Sequence, residues 1–193
     1  GTGFSVTTRD TEVNHAYGMG GNDEATLYDT TGNDKFKGKP AEDYAKMYNG
    51  SYMNRVKFFT TVVGVFSEGA DDYARIWDSA GDDSLTASPT EARLVGNSID
   101  LRVEAADRLL AWSTAGGEDT AELYDSPGND VMRARAHKTV FYGQGFDMTL
   151  RQWERIHAYA ENGGYDVAKL HDTPGNDVVL TAEDWGSLSV DRQ

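Results

Sequence analysis

Twelve aspartates recur in register along the chain, and they are the residues best placed to do chemistry. Asp23, Asp29 and Asp34 return as Asp72, Asp78 and Asp83, then as Asp119, Asp125 and Asp130, then as Asp166, Asp172 and Asp177. Carboxylates gathered on one edge of a fold repel each other unless something neutralises them. Ca2+ suits that task, because a hard cation takes six to eight oxygens and Asp-rich turns supply both carboxylates and carbonyls. The plainer expectation beside it is that each Asp bonds the amides of its own turn and stays solvated.

A second set follows from the same register. The residue after each inward Leu or Ile is Tyr28, Trp77, Tyr124 or His171. Strand alternation points these rings outward, and in a unit of two coils they are expected roughly 10 Å apart, twice the strand spacing of about 4.8 Å. Such a ladder could stack on the sugars of an extended polysaccharide, since an aromatic ring offers an apolar face. The alternative is that each ring covers the coil beneath it. A catalytic site should break the repeat, and the densest departure is the basic run Arg133, Arg135, His137 and Lys138. It could hold an anionic sugar or move a proton in a polysaccharide lyase. A solvated, ion-paired stretch is the bland reading, and the expectation leans against an enzyme.

The elements that position these residues come from an internal repeat. GGNDEATLYDTTGND from Gly20, GADDYARIWDSAGDD from Gly69, GGEDTAELYDSPGND from Gly116 and GGYDVAKLHDTPGND from Gly163 align without gaps. A period near 48 residues sets the architecture. The units run 20–68, 69–115 and 116–162, with partial units at 1–19 and 163–193, and the whole is read as a single repeat domain. The partial ends together make about one unit, as in a longer array or a closing ring.

Alternation of Ala25 and Leu27 with Thr26 and Tyr28, repeated at Ala74 and Ile76, Ala121 and Leu123, and Ala168 and Leu170, is the period-two signal of short strands. The T-T-G-N, S-A-G-D, S-P-G-N and T-P-G-N clusters are turns. Five or six strand-sized segments per unit predict an all-β solenoid, a right-handed parallel β-helix whose units wind two coils each. The alternative is a small four-bladed β-propeller with the split unit closing the ring.

Gly32-Asn33-Asp34-Lys35-Phe36 and Gly128-Asn129-Asp130-Val131-Met132 resemble the turns of calcium-binding RTX-type β-rolls. Those repeats recur every nine residues, a period this chain lacks. The whole chain is similar to the long LYDSxGND tandem arrays of very large secreted bacterial surface proteins. That resemblance implies an architecture and an extracellular or cell-surface address.

Bulk composition narrows the partners. With 32 acidic and 18 basic residues the formal charge is −14. That balance argues against nucleic acid and against an anionic membrane surface as partners, and no apolar run approaches a membrane span. Cysteine is absent, which removes thiolate metal sites and disulfides. The function expected is an extracellular structural or adhesive module, possible partners being a polysaccharide or further repeats of the parent chain.

Overall fold

The computed structural model describes residues 11–69, 71–181 and 186–190. In chain order the strands are β1 (Val13–Tyr17), β2 (Glu24–Tyr28), β3 (Lys35–Lys39), β4 (Tyr44–Tyr48), β5 (Met53–Lys57), β6 (Thr61–Val65), β7 (Tyr73–Trp77), β8 (Ser84–Ala87), β9 (Glu91–Gly96) and β10 (Ile99–Glu104). Then come β11 (Arg108–Trp112), β12 (Thr120–Tyr124), β13 (Val131–Arg135), β14 (Lys138–Gly143), β15 (Phe146–Arg151), β16 (Arg155–Tyr159), β17 (Val167–Leu170), β18 (Asp177–Thr181) and β19 (Gly186–Val190). A single turn of 3-10 helix, Pro40–Glu42, links β3 to β4.

Two sheets carry the solenoid. One is ordered β1-β5-β4-β3-β7-β11-β15-β14-β13-β17 and is called sheet A. The other, sheet B, is ordered β16-β12-β8-β9-β10-β6-β2. The coils stack by parallel pairing between strands four places apart, such as β2 with β6, β3 with β7, β7 with β11 and β12 with β16. The solenoid expectation therefore holds, with about four turns, and the described strands form stacked coils and not blades.

The unit is nevertheless not two plain coils. Each holds five strands, and three of them fold back as an antiparallel meander: β3-β4-β5, β8-β9-β10 and β13-β14-β15. Tight turns allow the reversals. Ser98 in the β9–β10 hairpin and Gly145 in the β14–β15 hairpin, each the second residue of its two-residue loop, take positive φ, 64° and 84°, a conformation that tight turns use. Five is odd, so successive meanders lie on opposite sheets: A, then B, then A. Two units restore the starting face and advance five strand places in either sheet, from β3 to β13 or from β2 to β12. At about 4.8 Å per place that is about 24 Å along the axis.

The core lies between the sheets. Phe36, Ala74, Leu109, Met148 and Phe141 form one inward row of sheet A. Leu101, Leu94, Leu85 and Ala121 form a facing row of sheet B. Large and small side chains share these buried rows, as a close-packed interior needs.

The meander register also places Gly96 opposite the residue before β8, Asp83, and Gly143 opposite the residue before β13, Asp130. A Cβ at Gly96 would lie 1.6 Å from Asp83 Oδ1, and one at Gly143 would lie 1.7 Å from Asp130 Oδ1. Gly96→Ala or Gly143→Ala is expected to destabilise the fold by about 2 kcal/mol, because a buried carboxylate must move. Gly50→Ala, where no atom stands within 4 Å of the added carbon, serves as the neutral control. Urea denaturation of the three variants checks this, and equal midpoints would show that the corner yields freely.

Candidate functional site

The twelve aspartates do not share one edge. They divide among the corners between sheets, and each position of the repeat has its own task. The third Asp closes its own turn: Asp34 Oδ2 accepts the Thr30 amide at 2.8 Å, and Asp83, Asp130 and Asp177 do the same for Ser79, Ser126 and Thr173. The hydroxyl of each Ser or Thr donates to the same carboxylate.

The second Asp reaches the next coil. Asp29 Oδ2 accepts the Ser67 and Glu68 amides, Asp78 Oδ2 accepts those of Thr114 and Ala115, and Asp125 accepts those of Glu161 and Asn162. The first Asp reaches the preceding coil. Asp72 Oδ1 accepts the Asp34 amide, Asp119 Oδ1 that of Asp83, and Asp166 Oδ1 that of Asp130. Asp23, in the opening turn, accepts the Met19 amide, and Asp172 lies exposed on the last coil.

Two residues outside the signature continue these ladders. Asp107 Oδ2 accepts the Asp72 amide at 2.8 Å, and Glu154 Oε2 accepts the Asp119 amide at 3.1 Å. Sequence comparison missed them because the second half of each unit has drifted. An acid just before β11 and just before β16 was the available signal.

Burial sets the electrostatics of these corners. Asp72, Asp78 and Asp83 are all held above the ordinary carboxylate value of 3.8, first by desolvation and then by neighbouring carboxylates, against the lowering effect of the amides they accept. Tyr52 is more strongly affected: burial and the nearby Asp34 carboxylate both oppose its ionisation. At one corner Asp125, Asp130 and Asp166 each bring a carboxylate oxygen within 4.8 Å of the other two, an arrangement that could hold a metal ion.

The aromatic column needs correction. Because the meander changes sheet in each unit, Tyr28 and Tyr124 lie on sheet B, while Trp77 lies on sheet A and His171 follows its last strand. No single ladder joins the four. Instead two of the rings pair with one from the second half of their own unit. Trp77 stacks on Trp112 at 4.2 Å, and Tyr124 on Tyr159 at 5.0 Å. Tyr28 remains 61% exposed.

The basic run spans a hairpin whose two arms are paired, Arg135 opposite Lys138. Arg133 and Arg135 lie on β13, while His137 and Lys138 occupy the exposed β13–β14 turn and the start of β14. More basic residues were hidden by alternation: Lys35, Lys37 and Lys39 on β3, Lys46 on β4, and Arg55 and Lys57 on β5 meet on the same sheet A. The pattern K-F-K-G-K was the visible hint.

Compared with known proteins, the chain matches no family model, no curated protein and no solved structure at a significant level.

The raised corner carboxylates give a pH dependence with a definite sign. A folded-state pKa above the unfolded value means that the native state binds protons more readily. The stabilisation from Asp72, Asp78 and Asp83 is therefore present at low pH and lost as pH rises through their folded values. The melting temperature is expected to rise as pH is lowered from neutral toward the ordinary carboxylate value of 3.8. A steady fall over that interval, followed by far-UV circular dichroism, would contradict this account of the corners.

Proposed function

We propose that the chain is a structural and adhesive repeat module of a secreted or cell-surface protein, a rigid spacer that lengthens by adding units. One observation carries the reading. The signature aspartates of the repeat close the turns and join each coil to its neighbours. A residue pattern repeated for stacking suits a quasi-one-dimensional scaffold, in which neighbouring units supply the stability. An acidic surface also keeps a long array soluble in salty surroundings.

Calcium fits the corner formed by Asp125, Asp130 and Asp166. Their three carboxylates converge, and backbone carbonyls of the same turns are oxygens of the right hardness. Sites of this kind in extracellular modules are weak and fill at the calcium levels found outside cells. The ion would neutralise the corner and leave the amide bonds in place.

Two measurements test the proposal. Duplicating residues 69–162 in tandem adds two units, and small-angle X-ray scattering should show the maximum dimension growing by about 24 Å; a compact particle of unchanged length would refute the spacer. Separately, millimolar Ca2+ should raise the melting temperature above its value in EDTA, and Asp166→Asn should remove the difference. No shift in the parent chain would reduce the corner to hydrogen bonding alone.

A further inference from the structure

The two sheets present opposite surfaces. Sheet A carries thirteen Lys and Arg residues on its strands and one acid, Asp147. Sheet B carries three, and each is ion-paired: Arg93 with Asp100, Arg102 with Glu91 and Glu104, and Arg155 with Glu118. On sheet A, Lys39 pairs with Glu42, and Arg108 lies 3.9 Å from Asp71. The other eleven make no ion pair among the described residues.

The register lines these cations up across the strands. Arg55, Lys46, Lys37 and Arg75 are direct neighbours on β5, β4, β3 and β7, one per strand at about 4.8 Å. Like charges placed directly opposite on a sheet destabilise it. The effect shows at Lys46, whose pKa is lowered first by burial and then by Lys37 and Arg55. Beyond the Trp77–Trp112 stack the basic surface resumes with Arg151, Lys138 and Arg135 in adjacent positions. Arg133 and Lys169 stand side by side in the next row.

Aromatic rings order these cations. Lys37 and Lys39 stand 5.2 and 5.1 Å from the centre of Trp77, Lys46 4.2 Å from Tyr48, Arg55 5.1 Å from Tyr44 and Arg75 4.7 Å from Tyr73. A cation held over a ring keeps its remaining donors free and loses less side-chain freedom when a ligand arrives.

We infer that the outer face of sheet A binds an extended polyanionic glycan, a polyuronate or sulfated chain lying along the solenoid axis. The inference rests on the adhesive reading and names its partner. Charge complementarity selects a polyanion. Covered ring faces disfavour nucleic acid as that polyanion. Single strands are held by stacking bases on exposed aromatic faces, whereas Trp77 has Trp112 on one side and two lysines over it. The strip is also bordered by the exposed acid Asp107, which precedes β11 and which a duplex wide enough to overhang the strip would meet.

The test is binding of alginate, a polyuronate, measured by isothermal titration calorimetry at low salt. Dextran serves as the neutral polymer and poly(dT) as the nucleic acid. Alginate should bind, weaken as salt screens the charges, and outcompete both. The triple variant Lys37→Gln, Lys46→Gln, Arg55→Gln should bind at least about tenfold more weakly, with a melting temperature equal to or above the parent's. Arg93→Gln with Arg102→Gln on sheet B should leave affinity unchanged. If the triple variant fails to fold, Lys46→Gln alone should still weaken binding. The inference is overturned by no binding of alginate, by equal binding of dextran, by an unaffected triple variant, or by tighter binding of poly(dT), which would make the face a nucleic-acid surface. None of these outcomes bears on the length of the array, so the spacer reading stands or falls separately.

Discussion

The fold depends on carboxylates that accept backbone amides from the neighbouring coil. A solenoid corner breaks the strand ladder and leaves N–H groups without partners, and an unpaired buried amide costs about 1–3 kcal/mol. Asp29, Asp78 and Asp125 meet those amides from one side, while Asp72, Asp119 and Asp166 meet them from the other. An ionised acceptor makes the stronger kind of hydrogen bond. The price is burial of charge, and it is visible in the raised pKa values of Asp72, Asp78 and Asp83.

The rest of the architecture follows from that joint and from strand number. Once coils are tied at their corners, each unit folds three strands back without losing register. In the second and third units the third Asp stands opposite a glycine, Gly96 or Gly143, whose missing side chain leaves room for the carboxylate. The first unit uses Asn49 at the corresponding position, and its amide donates to Thr30 Oγ1 instead. Five strands per unit then alternate the faces, so that residues equivalent in sequence become opposite in space. Trp77 and Tyr124 illustrate the result, each stacked within its own sheet on a ring from a different half-unit.

The same alternation decides the surface. A net charge of −14 describes an average that no partner encounters. The acids gather at the corners, where amides need them, and the cations gather on the outer strand positions of sheet A, where aromatic rings support them. Sheet B disperses its few cations in ion pairs. A molecule repelled by one side of this solenoid is attracted by another.

Much of this was legible in the chain. The repeat, its all-β character, the inward Ala and Leu positions and the turn at each G-N-D or G-D-D were readable, because local backbone preference and period-two alternation act over a few residues. The i to i+4 bond from Ser or Thr to the third Asp was readable for the same reason. The fold-back of three strands was not, since parallel and antiparallel pairing use the same alternating residues and differ only in where the chain returns. Neither was the split of Tyr28, Trp77, Tyr124 and His171 between sheets, which depends on an odd strand count. Lys37, Lys46, Arg55 and Arg75 stand far apart in sequence and adjacent in space. Composition determined how much charge the protein carries; only the register of distant strands decided where that charge is concentrated.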